Sequence, residues 1–160
     1  MANALESSLK YFARQQVSPQ WQGFLQALAD ELSAQMPAKE IESLMYVLGR
    51  RMAGSLRPDV SGTLEQMEAD INKVWAGMSW GWVGLKDVQT SLEIVHHCAP
   101  FRAAFGAESA GWAGALLEGI YSLWFEEFGA GDDLVLRQIE YEAGSVDLYR
   151  FRLAHRSLFG

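Results

Sequence analysis

The residues of this chain that could do chemistry fall in a few places. His96-His97-Cys98 sets three metal-ligating side chains in a row, Glu126-Glu127 and Asp132-Asp133 are two pairs of carboxylates, and six tryptophans offer flat apolar rings. Each chemistry asks for a definite geometry. A metal needs its ligands on one side, but on a strand neighbouring side chains point to opposite faces, so His96 and Cys98 would share a side without His97. Paired carboxylates cleave a glycosidic bond when they stand about 5 to 10 Å apart across the sugar, whereas adjacent acids at a helix end and in a glycine-rich turn are ordinarily solvated. No CxxC, HExxH, GxSxG, P-loop or GxGxxG spacing occurs. The sequence therefore points away from catalysis and from a bound metal or cofactor.

The tryptophans are weighed differently, because an indole ring stacks on the apolar face of a pyranose while nearby polar groups take its hydroxyls. Trp75, Trp112 and Trp124 fall on helical stripes and read as core or interface. Trp80 and Trp82 are expected on one face of a strand and Trp21 near the start of a helix, which leaves these three as candidate sugar contacts.

The elements that must position these residues follow from periodicity. Ala4 to Gln16 carries Leu5, Leu9 and Phe12 at helical spacing, a weakly amphipathic arm. Ser18-Pro19 is a helix start, and Trp21, Phe24, Leu25, Leu28 and Leu32 form a stripe expected to face a core. After Pro37 a third helix repeats the pattern through Ile41, Leu44, Met45, Leu48 and Met52, with Gly54 expected to end it at positive φ. Thr63 to Met78 reads as a fourth. The period then changes: Trp80 to Leu85 and Leu92 to Cys98 favour a strand pair.

Ala110 to Phe128 returns to helix and is apolar on most sides, which places it centrally or in a subunit contact; Gly119 is expected to let another helix approach closely. Leu134 to Tyr141 and Val146 to Leu153 then pair across Glu142-Ala143-Gly144-Ser145 as a β-hairpin, its second strand apolar on one face and mostly cationic on the other. The expectation is an α+β fold of about five helices and two antiparallel, hairpin-like strand pairs, with one long buried helix between them. Residues 1–18 form an arm and 19–160 a single oligomerising domain.

Composition bounds the function. The 160 residues carry 13 Lys+Arg against 20 Asp+Glu, a net charge of −7, which argues against nucleic acid as a partner. The single Cys98 calls for no oxidising compartment. The longest uncharged stretch, Gln15 to Ala29, holds five glutamines and a proline and cannot span a bilayer. Glu6 before Lys10, without an apolar run, does not read as an export signal, so the cytoplasm is the expected location, with the periplasm as the alternative. Six Trp, five Tyr and eight Phe exceed what a core of this size needs and point to an interface or a ligand surface.

Several local motifs then occur in a definite order. They are Gly49-Arg50-Arg51-Met52-Ala53-Gly54-Ser55-Leu56-Arg57-Pro58, Gly77-Met78-Ser79-Trp80-Gly81-Trp82-Val83, Ile94-Val95-His96, and Leu116-Leu117-Glu118-Gly119-Ile120-Tyr121 with Trp124 following. As a set they resemble the D proteins of bacterial cellulose synthase operons. The resemblance implies a non-enzymatic accessory protein, without cofactors, that forms a cylindrical homo-octamer as a tetramer of dimers and helps order cellulose into crystalline ribbons. It further implies β-1,4-glucan chains in inner passages lined by the N-terminal region, which nominates Lys10, Tyr11, Arg14 and Gln15. The synthase complex and a proline-rich protein of the same operon are the implied partners. With the aromatic surplus, it assigns Trp112, Tyr121, Trp124 and Phe125 to the oligomer interface. Two rival readings are a monomeric glucan-binding module and a glycoside hydrolase.

Overall fold

The computed structural model describes residues 2–142 and 147–160. The turn expected at Glu142-Ala143-Gly144-Ser145, with Val146 after it, lies outside the described residues except for Glu142 at the end of its strand. Four helices come first: α1 (Ala2–Gln15), α2 (Pro19–Gln35), α3 (Ala38–Ser55) and α4 (Leu64–Met78). The strands β1 (Trp82–Asp87) and β2 (Ser91–His97), the short helix α5 (Phe101–Phe105), the long helix α6 (Ala110–Glu127), and the strands β3 (Leu134–Glu142) and β4 (Leu148–His155) complete the chain, with a final 3-10 turn at Arg156–Phe159. The fold is α+β, as expected. The two strand pairs are not separate, because β2 pairs with β4 and the four strands form one antiparallel sheet in the order β1-β2-β4-β3. The helix α5 is the element that periodicity missed, being too short to show a period.

Local chemistry sets the boundaries. Thr63 accepts from the Gln66 amide at 3.3 Å while the Gln66 side chain accepts from the Thr63 amide at 3.0 Å, a reciprocal cap that starts α4. Ser79 in the left-handed region (φ 56°) ends it, and Gly81 (φ 78°) redirects the chain into β1. A side chain at Gly81 would collide with the backbone of His97 and Cys98, so the motif around Trp80 is a backbone requirement. Gly54, by contrast, lies within α3 without a positive φ, so it does not end the helix in the way its position suggested.

The helix α6 runs between α3 and the sheet, which explains why it is apolar on most sides: it has two neighbours to satisfy. Gly49 lies against the Leu116 carbonyl and Gly119 against the Tyr46 carbonyl, so α3 and α6 meet backbone to backbone, as expected for Gly119. On its other side Tyr121 packs on Phe151 at 5.5 Å, and the Tyr149 hydroxyl donates to the Ala110 carbonyl at 2.5 Å. The core gathers around Trp75, Tyr121, Trp124, Phe151, Ile71 and Ile94, all fully buried.

Both sheet edges are closed by helix side chains. Asn72 of α4 accepts from the Val83 amide at 2.7 Å and donates to the Val83 carbonyl at 2.9 Å, as a neighbouring strand would, and Glu68 accepts from the Leu85 amide at 2.7 Å. At the opposite edge Glu118 of α6 accepts from the Gln138 amide at 2.8 Å, beside an irregularity between Gln138 and Glu140. These contacts occupy edge groups that would otherwise invite another strand.

Candidate functional site

Three features could carry function: the aromatic centre, a cleft beside α1, and the exposed apolar faces of the first helices. At the centre His96 is fully buried, its Nε2 2.7 Å from the Trp80 carbonyl and its Nδ1 2.6 Å from the Tyr121 hydroxyl. A carbonyl can only accept, so Nε2–H donates to it and Nδ1 accepts from the phenol, which makes the ring neutral. Burial pushes the imidazole down from 6.5 to about 4 and the Tyr121 phenol well above its usual range. Trp75 stands edge-on to the imidazole at 4.9 Å. With both nitrogens engaged and no exposure, His96 holds the Trp80 segment to the core and offers nothing to a substrate.

The carboxylates of α6 are likewise occupied. Arg50 grips Glu126 through both carboxylate oxygens at 2.9 and 3.0 Å, and this hydrogen-bonded pairing raises the guanidinium above its ordinary value. Arg57 pairs with Glu127 at 3.1 Å, and the Trp124 indole donates to the Ala53 carbonyl at 3.2 Å. The motif from Gly49 to Pro58 is thus the seam by which α3 is fastened along α6.

A cleft of about 1160 Å³ lies between α1 and the segment that leads from β2 into α5. Lys10 and Arg14, one helical turn apart, line it with Phe12, Gln22, Gln26 and Arg102. Tyr11 and Gln15 are exposed on α1 and do not line this cleft, so the structure brings together only half of the nominated arm residues there. Lys10 also pairs with Glu6 at 2.8 Å. The floor is fixed by Arg102, which donates to the buried Asp147 at 2.8 Å and to the Tyr141 hydroxyl at 3.2 Å, while Tyr141 donates to Asp147 at 3.1 Å. Sequence reasoning missed this cluster, whose members are 39 to 45 residues from Arg102. Amides, cations and an aromatic around an open cleft suit a ligand rich in hydroxyls.

The other sugar candidates separate. Trp82 is half exposed and Trp21 is 55% exposed beside Phe24. Trp80 does not share a strand face with Trp82: it precedes β1, turns inward after Ser79, and lies parallel to Trp75 at 5.9 Å and edge-on to Phe101 at 5.2 Å. The four residues assigned to the interface, Trp112, Tyr121, Trp124 and Phe125, are interior to the single chain, none more than 7% exposed. They leave no free surface for a second copy, because α3 and the sheet already cover them. The stripe on α2 turns the other way from expectation: Trp21, Phe24 and Leu28 are exposed, as are Leu44, Val47 and Leu48 on α3.

The order of these motifs is matched by the family model of the cellulose synthase D subunit, over residues 7–150. The chain belongs to that family. Relatives named cellulose synthase operon protein D, from Komagataeibacter xylinus and Komagataeibacter sucrofermentans, are 33% identical over 128 residues, covering 78% of this chain and 82% of theirs. Another from Komagataeibacter xylinus is 31% identical over the same length. Membership of this family associates the protein with cellulose biosynthesis. Among the described residues no helix is long and apolar enough to cross a membrane, and no group of three or more His, Cys, Asp or Glu side chains stands close enough to hold a metal ion.

Proposed function

We propose that this protein is a non-enzymatic scaffold of cellulose biosynthesis that assembles as a ring-like homo-octamer, a tetramer of dimers, and organises synthase complexes and glucan chains for export and ribbon formation. The observation that carries the reading is the apolar face of the first helices. Trp21, Phe24 and Leu28 at i, i+3 and i+7 on α2, with Leu44, Val47 and Leu48 on α3, make two consecutive helices each apolar toward solvent. An exposed apolar stripe of this extent is characteristic of a surface that another protomer covers. The aromatic surplus of the composition therefore supports self-association through α2 and α3, while the aromatics of α6 serve the core.

Residues 1–18 act in this reading as an arm on a single domain of residues 19–160. Lys10 and Arg14 face glucan from the cleft, with Tyr11 and Gln15 reaching it from a neighbouring protomer, and the proline-rich operon protein joins the assembled ring rather than the single chain. The cytoplasm is the proposed location. Native mass spectrometry of the full chain at micromolar concentration tests the assembly: an eightfold mass is expected, and a monomer overturns the scaffold in favour of a monomeric glucan-binding module. Reducing-sugar release from soluble glucan, abolished by E126Q, would instead establish a hydrolase.

A further inference from the structure

We propose that the solvent face of the sheet at β1 and β2 is a saccharide-binding surface separate from the cleft beside α1, one that takes a linear, neutral glucan chain against Trp82. The proposal deepens the reading above and rests on it for the class of ligand; the surface itself is argued from the sheet.

Register decides which side chains stand together. Trp82 lies opposite His97, Gly84 opposite Val95, and Val95 in turn opposite Arg150, which faces Glu140 across β3. Val83, Ile94, His96 and Phe151 alternate with these and are buried under the helices, so the first set shares the outer face. On that face Trp82 and His97 are stacked, rings 8° from parallel with centroids 3.9 Å apart, and Trp82 is still 50% exposed. A tryptophan braced on one side and open on the other is a rigid platform, since the stack has already taken up the rotamer freedom that ligand binding would otherwise remove.

The space beside the platform is kept open by Gly84. Its backbone needs no special φ, and a Cβ there would only touch the Trp82 ring at 4.0 Å. Neither backbone geometry nor crowding requires glycine here, and a strand interior ordinarily disfavours it. Its effect is a low floor, continued by Val95 and bounded at the far end by the Arg150–Glu140 pair at 3.1 Å. A row across four strands spans roughly 14 Å at the usual spacing of about 4.8 Å, room for a few sugar units.

The charges select against an ion. Arg150 is matched by Glu140, and Arg152 in the next row lies 3.7 Å from Glu93, so these side chains present hydrogen-bonding groups with their charges largely paired off. A pyranose offers C–H faces to the indole and hydroxyl edges to such groups.

The test is a titration of the full chain with cellohexaose, followed by calorimetry and by the Trp82 indole N–H signal in NMR spectra. In a K10A/R14A background, which removes the two cations of the cleft, the remaining affinity is expected to fall at least tenfold in W82A and again in G84V. G84V fills the floor while favouring the strand, so unchanged circular dichroism and melting separate a blocked surface from lost folding. Unaltered affinity in both W82A and G84V would overturn the proposal while leaving glucan binding at the cleft intact. If no form of the protein binds cellohexaose, both this surface and the glucan-contact part of the reading above fall. Retention of polygalacturonate in place of cellohexaose through Trp82 would make the face an anion surface and overturn the proposal as well.

Discussion

Gly119 of α6 lies so close to the carbonyl of Tyr46 in α3 that a side-chain carbon at residue 119 would overlap it. Gly49 makes the mirror-image approach to Leu116, and between these two points the helices touch along their backbones. G119A must therefore push α3 away from α6 and is expected to cost about 1–3 kcal/mol, as overpacking does elsewhere. G54A is the contrast, because Gly54 is helical with nothing within 4 Å of its would-be Cβ, and it should gain about 0.5–1 kcal/mol from helix propensity. Thermal melts of the two variants, moving in opposite directions, check both.

His96 makes the fold sensitive to acid. Its imidazole titrates near 6.5 when unfolded and is held down to about 4 by burial in the native protein, so the unfolded chain binds the proton more readily between these values. The stabilisation is fully present above pH 6.5 and is lost as pH falls from there toward 4, amounting to about 3 kcal/mol across that range. Urea unfolding of the wild type and H96F should show a stability difference that shrinks by this order between pH 7 and pH 4. A difference constant with pH would show that His96 is not held neutral.

Asn72 takes the place of a strand at the free edge of β1. N72A leaves both the amide and the carbonyl of Val83 without their partner and is expected to cost about 1–3 kcal/mol. The opened edge should also add strands from other molecules. Light scattering on storage, rising in N72A but not in a surface control such as S33A, reports that consequence.

Assembly should depend on α2 and α3. V47E or a paired W21S/F24S substitution places polar groups on side chains that are 55–57% exposed in the single chain, so the monomer fold is left intact. The expected outcome by native mass spectrometry is a loss of the large species with unchanged circular dichroism. Substitutions of Trp112 or Trp124 should instead unfold the protein, since both are interior.

Much of the architecture was legible in the residues because it rests on local rules. Thr63 with Gln66 and Ser18-Pro19 announce helices, and the alternation of Tyr149 and Phe151 with Arg150 and Arg152 announces a strand with one buried face. The site was legible only in part. Lys10 and Arg14 were named, whereas Arg102 and Asp147 were not, because a contact between residues 45 apart leaves no periodic trace. The pair Glu68 and Asn72, at i and i+4 on one face of α4, was a signal available in the sequence.

The sequence by itself determined which segments would be helix or strand, that α6 would be apolar nearly all round, that α3 and α6 would meet at a glycine, and which family the motifs resemble. Only the tertiary structure decided which apolar surfaces are spent inside the molecule. An apolar stripe has the same spacing whether it faces its own chain or another, so periodicity could not tell α6 from α2. Packing distinguishes them: α6 has α3 on one side and the sheet on the other, and its tryptophans vanish between them. Trp21, Phe24 and Leu28 of α2 have no such cover within the single chain, and it is there that its excess apolar surface remains.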